Sequence, residues 1–164
     1  MKQTFALLLL LVICTALGGQ EPFIDSFPME SGELELTRVA QPNTPFNKVG
    51  RRFAILGAES GSFEAWAYPL KLFRNFEFSF FIGRSTKPIP ARDIVRYIKV
   101  APAATTLTFC YQSFTIQATY VTAIDEPAAM ILLAIDSVEP LTVVSSFLPV
   151  LQPMWPAGIG GQSA

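Results

Sequence analysis

The chain has 164 residues, a formal charge of −1, no histidine and two cysteines, and 51% of its residues are apolar. So balanced a charge offers nothing to a phosphate backbone or an anionic lipid surface, which excludes nucleic acid as a partner. Without histidine there is no Ser-His-Asp or Cys-His nucleophile and no histidine-ligated metal, so carboxylates are the catalytic groups left and neither metal nor cofactor is expected.

Lys2 gives a short positive start, residues 5–13 are unbroken apolar, and Ala16 and Gly18 stand at the −3 and −1 spacing of a signal-peptidase site. Residues 1–18 are therefore expected to be a signal peptide, cut after Gly18. The apolar run is well short of the roughly 20 residues of a spanning helix. A secreted or periplasmic product with no membrane attachment after cleavage follows. Cys14 leaves with the leader, and Ile13 before it argues against lipidation. Only Cys110 then remains, too few for a disulfide or a thiolate metal site.

Residues 19–48 read as an exposed arm, polar and punctuated by Pro22 and Pro28. It holds one short strand, Glu33-Leu34-Glu35-Leu36-Thr37-Arg38, whose strict alternation puts Leu34 and Leu36 on one face. Pro42 and Pro45 then break the chain.

Residues 49–164 are expected to form a β-sandwich domain, incomplete at its C-terminus. Runs over 52–56 and 63–68 are separated by a turn at 57–61 and closed by Pro69. Over 72–82 Phe76, Phe78 and Phe80 alternate with Asn75, Glu77 and Ser79, the period of a strand with one face on a core. A loop at 87–90 precedes runs over 93–100 and 105–111, joined by a hairpin-length connection. Cys110 lies in the second of these, where a buried, inert thiol is expected. Phe114, Ile116, Ala118 and Tyr120 mark one face of the next strand. Residues 128–136, nearly continuous apolar, are expected to be buried on both faces, and 141–149 form the last run. Short β-rich runs, regular turns and no period of 3.6 predict an all-β fold: an antiparallel, supersandwich-like β-sandwich. Beyond it Trp155 stands between prolines and is followed by Gly158, Gly160 and Gly161, an ordered loop leading onward. A long apolar strand without cover there would invite aggregation.

Glycoside hydrolysis needs two carboxylates roughly 5 to 9.5 Å apart. Most acids here fall at turns or on polar strand faces. Glu59, Glu64 and Asp136 are the least ordinary, yet no pair declares itself, so no catalytic residue is assigned. Aromatic faces pack on sugar C–H surfaces, which makes Trp66, Tyr68 and Trp155 the substrate-contact candidates, with Glu64 beside the first two. Strand alternation alone also explains Glu64, as a solvated residue opposite Phe63, Ala65 and Ala67, and core packing is the ordinary fate of a residue such as Trp66. Trp155 is set apart by its loop, since loops on rigid scaffolds carry function. The three glycines after it lack the helix that a phosphate cradle requires. Lys48, Arg51 and Arg52 read as a solvated turn.

Three stretches carry a resemblance: Gly50-Arg51-Arg52-Phe53-Ala54-Ile55-Leu56-Gly57, Phe63-Glu64-Ala65-Trp66-Ala67-Tyr68-Pro69-Leu70-Lys71, and Phe147-Leu148-Pro149-Val150-Leu151-Gln152-Pro153-Met154-Trp155-Pro156-Ala157-Gly158. From about Gly50 onward the chain resembles the N-terminal domain of bacterial glycogen-debranching-type, amylo-α-1,6-glucosidase-like glycoside hydrolases. The resemblance implies a sandwich placed before an (α/α)6 barrel that holds the paired catalytic carboxylates. None of those catalytic residues has a counterpart here. It therefore implies a non-catalytic module whose partner is the missing barrel, acting on α-glucan or a related oligosaccharide, with the loop at 153–161 reaching toward the sugar. A free-standing carbohydrate-binding or adhesion domain is the rival reading, and a small independent carboxylate enzyme a third.

Overall fold

The computed structural model describes residues 34–153, so the expected signal peptide, the first half of the arm and Trp155 lie outside the described residues. Within them the chain runs β1 (Leu36–Val39), β2 (Pro45–Val49), β3 (Phe53–Ala58), β4 (Phe63–Ala67), β5 (Leu70–Ile82), β6 (Ile89–Pro90), α1 (Ala91–Ile94), β7 (Val95–Val100), β8 (Thr105–Tyr111), β9 (Phe114–Thr122), β10 (Ala129–Ser137) and β11 (Leu141–Pro153). The first sheet has the order β1-β7-β8-β9-β10 and the second β11-β5-β4-β3-β2, with β6 pairing β5. Every pairing is antiparallel. The fold is an all-β sandwich of two packed sheets.

Alternation decides which side chains meet between the sheets. β9 turns Phe114, Ile116, Ala118 and Tyr120 inward, β8 contributes Leu107 and Phe109, and β5 brings Phe76, Phe78 and Phe80 from the opposite layer. Aromatic rings interlock across the gap: Phe46 and Phe63 meet Tyr120 at 5.2 and 5.7 Å, and Phe80 meets Phe109 and Phe114 at 5.9 and 5.5 Å. Edge-on and tilted ring packing of this kind adds about 0.5 to 1.5 kcal/mol per pair beyond area burial. Among the described residues the Tyr120 hydroxyl finds no hydrogen-bond partner, and burial pushes its pKa upward.

Several expectations need correction. The sandwich does not begin at residue 49: β1 pairs with β7, β2 pairs with β3, and Phe46 and Ala40 are in the core. Two prolines suggested a break there, but Pro45 opens β2 at the outer edge of its sheet, a place where a missing N–H costs no ladder bond. Leu34 and Leu36 are both exposed. The strand expected from residue 93 starts at Val95, because Ala91–Ile94 form a single helical turn after Pro90. β11 runs on to Pro153, beyond the expected end at 149.

β10 is the largest departure. It is the edge strand of its sheet rather than a strand buried on both faces, and Met130 and Ile135 remain 44% and 48% exposed. A continuous apolar run is compatible with a central strand, and topology, not local composition, decides whether a neighbour arrives. β11 closes the second sheet as another edge, with Phe147 and Leu148 half exposed.

Candidate functional site

Because Ile55, Phe63 and Ala65 face the core, the residues between them face out. Ala54 and Leu56 from β3, Trp66 from β4 and Tyr68 just after it thus gather on the outer side of the second sheet. The Tyr68–Pro69 peptide, which turns the chain into β5, is cis. Together with Val49 to Arg52 these residues line a cleft of about 490 Å³. Its walls are mostly apolar, no carboxylate among the described residues lines it, and Tyr68 is 63% exposed. At the rim Arg51 Nη1 donates to Asp125 Oδ1 at 2.8 Å, while Arg52 is exposed.

Trp66 is held from behind. Its Nε1 donates to Glu64 Oε1 at 2.8 Å, Lys71 Nζ donates to Glu64 Oε2 at 2.8 Å, and the ammonium sits 4.8 Å from the indole centroid. A cation over a tryptophan face is attractive through the ring quadrupole. The indole orientation is thus fixed by two side chains, Glu64 and Lys71, before any ligand arrives, which limits the entropy that binding must remove. Glu64 feels opposing influences: partial burial raises its pKa, but hydrogen bonds from Lys71 and Trp66 and the charges of Lys71 and Arg74 outweigh it, leaving the carboxyl below its ordinary value.

A depressed carboxylate pKa stabilises the fold above the unfolded-state pKa, and that contribution is lost as pH falls through the lower, folded value. In a Trp155→Phe background, which leaves Trp66 as the sole indole, fluorescence should hold steady through the ordinary carboxylate range. It should change only at more acidic pH, as Glu64 takes up its proton. Glu64→Gln should abolish that transition. An unchanged transition in Glu64→Gln would show that the indole does not depend on this carboxylate.

The structure thus brings together Trp66, Tyr68 and Glu64. Trp66 does not pack between the sheets, and Glu64 is not simply solvated. Trp155 lies outside the described residues. Glu59 and Glu64 do not form an acid–base pair across a cleft. Glu59, 1% exposed, accepts hydrogen bonds from both terminal nitrogens of Arg38 and, at 2.8 Å, from the Gln41 N–H. Asp136 is exposed on β10. Cys110 is half-buried rather than buried, facing away from the core that its neighbour Phe109 enters. Lys48 is no solvated turn residue, since its Nζ donates to the carbonyls of Ala101 and Pro102 at 3.3 and 2.7 Å. Burial lowers its pKa.

Lys71 was missed by sequence reasoning. The hairpin at Tyr68–Pro69 puts it opposite Trp66 in the ladder, so a turn assigned at Pro69 would have suggested the pairing. Among the described residues no group of three or more potential metal ligands gathers, and no helix is long and apolar enough to cross a membrane. The sequence matches no protein-family model, and no curated protein or solved structure is significantly similar to it.

Proposed function

We propose that this chain is a non-catalytic, saccharide-contacting β-sandwich module of an exported glycoside hydrolase. The catalytic carboxylates belong to a separate (α/α)6 domain of the glycogen-debranching type, and α-glucan is the first ligand to consider. One observation carries the reading: Trp66 and Tyr68 share an open apolar cleft on the outer sheet face, the indole oriented beforehand by Glu64 and Lys71. Open clefts with aromatic walls and few polar groups suit ligands with alternating C–H and hydroxyl surfaces. Acid–base hydrolysis has no support here, since the carboxylate held against Trp66, that of Glu64, already accepts from two donors, and Asp125 at the rim is paired with Arg51.

The test is calorimetric titration of the whole chain with maltoheptaose, alongside an assay for glucose release from branched glucan. Binding should be measurable, Tyr68→Ala should weaken it by about tenfold, or ~1.4 kcal/mol, and no glucose should appear. Tyr68 is exposed, so its removal leaves the fold intact. Full-strength binding by Tyr68→Ala would move the sugar off this face, and hydrolysis lost with Glu64→Gln would make the chain itself an enzyme.

A further inference from the structure

A second recess of about 410 Å³ opens on the same sheet face, between β5 and β11, lined by Lys71, Arg74, Leu148, Pro149, Val150 and Gln152. Lys71 connects the two hollows, since its ammonium lies over the Trp66 ring that walls the aromatic cleft. The recess is built by irregularities in both strands. Ala65 pairs with Phe73 and Phe63 with Phe76, so Arg74 and Asn75 together oppose the single residue Glu64. Asn75 takes a left-handed backbone with φ of 54°. On the other side Pro149 pairs with Phe73 and Gln152 with Lys71, leaving Val150 and Leu151 opposite Leu72, and Leu151 has φ of 51°. Bulges re-aim side chains, and left-handed backbone at residues other than glycine concentrates where function needs it. Neither Asn75 nor Leu151 lines the recess itself, but each adjoins residues that do: Arg74 on β5, and Val150 and Gln152 on β11.

The charges there are unequal. Glu64 is matched by Lys71, whereas Arg74 is exposed and makes no salt bridge among the described residues. Among the described residues no acidic side chain lines the recess. A guanidinium presents a planar fork that suits a carboxylate or phosphate.

We propose that this recess is an anion subsite, so that the sheet face takes a saccharide bearing an anionic substituent. Its sugar ring rests on Trp66 and Tyr68, and its charged group meets Arg74, with Lys71 as the second donor. The inference rests on the saccharide reading above and refines its substrate class. A uronate carboxylate and a phosphate ester share the required chemistry.

Calorimetric titration of the whole chain with maltotetraose, a phosphorylated maltotetraose and trigalacturonate distinguishes the two sources. The phosphorylated sugar, the uronate or both should bind about tenfold tighter than neutral maltotetraose, as expected for a hydrogen-bonded charge pair. Raising salt should erase the preference. Arg74→Gln should remove the preference while leaving maltotetraose affinity unchanged, and Tyr68→Ala should weaken every ligand that binds. Equal affinity for all three ligands, or a preference that survives Arg74→Gln, overturns the anion subsite and leaves the aromatic cleft standing. No binding to any of the three overturns both readings.

Discussion

Glu59→Ala should lower the stability of the sandwich by about 3 kcal/mol, the lower end of the range for breaking a buried ion pair. The carboxylate sits in the turn between β3 and β4, where its own N–H donates to the Thr44 carbonyl at 2.9 Å. Its two oxygens gather the Arg38 guanidinium from β1, a strand of the opposite sheet, and the Gln41 N–H from the segment leading into β2. One side chain thus ties the start of the described chain to the second sheet. Alanine leaves the Gln41 N–H without its acceptor and an unfilled space. The cost stays at the lower end because the Arg38 side chain is 36% exposed and can turn to water.

Arg38→Ala should also destabilise the fold, since it leaves a buried carboxylate with only a backbone donor. The double variant should fall well short of the sum of the singles, the signature of residues that act as one pair. Urea unfolding of the three variants, compared at unchanged slope, measures this. A loss below about 1 kcal/mol for Glu59→Ala would show that the pair is worth no more than a surface ion pair.

The parts of the fold that local pattern governs were legible. The Phe76, Phe78 and Phe80 stripe and the Phe114 to Tyr120 stripe face the core as their alternation requires, because a period of two leaves a strand no other way to bury one face. What local pattern does not contain is the neighbour. The apolar run of β10 reads as fully buried because nothing within it says that the first sheet ends there. β2 was hidden by prolines that break a central strand but suit an edge. Within the site, Trp66 and Glu64 could be placed on one strand face, but Lys71 reaches them only through a hairpin register. The bulge at Arg74 and Asn75 has no local signal stronger than an asparagine inside an apolar stretch, a residue that tolerates the left-handed region. Glu59 looked like a candidate acid because burial and pairing with a residue 21 positions away are long-range facts.

Gly50→Ala should be nearly as damaging, at about 3 kcal/mol, the upper end of the usual cost of overpacking. A Cβ at this position would fall 2.0 Å from the Ala123 carbonyl oxygen and 3.1 Å from its carbon. The constraint is space, and both walls are backbone. On one side the Gly50 N–H donates to the Phe53 carbonyl at 2.8 Å, closing the turn between β2 and β3. On the other the Arg51 N–H donates to the Ile124 carbonyl at 2.9 Å, holding the segment that follows β9 in the first sheet. Relief of the clash must break this link between sheets, and Gly50 and Arg51 also line the aromatic cleft. The substitution should therefore weaken maltoheptaose binding even at temperatures where the chain stays folded. Val49→Ala, one residue away and exposed, is the control, with an expected change within about 0.5 kcal/mol. A Gly50→Ala protein as stable as Val49→Ala would mean that the two turns separate freely, and the cleft would lose the rigid rim on which the proposed saccharide site depends.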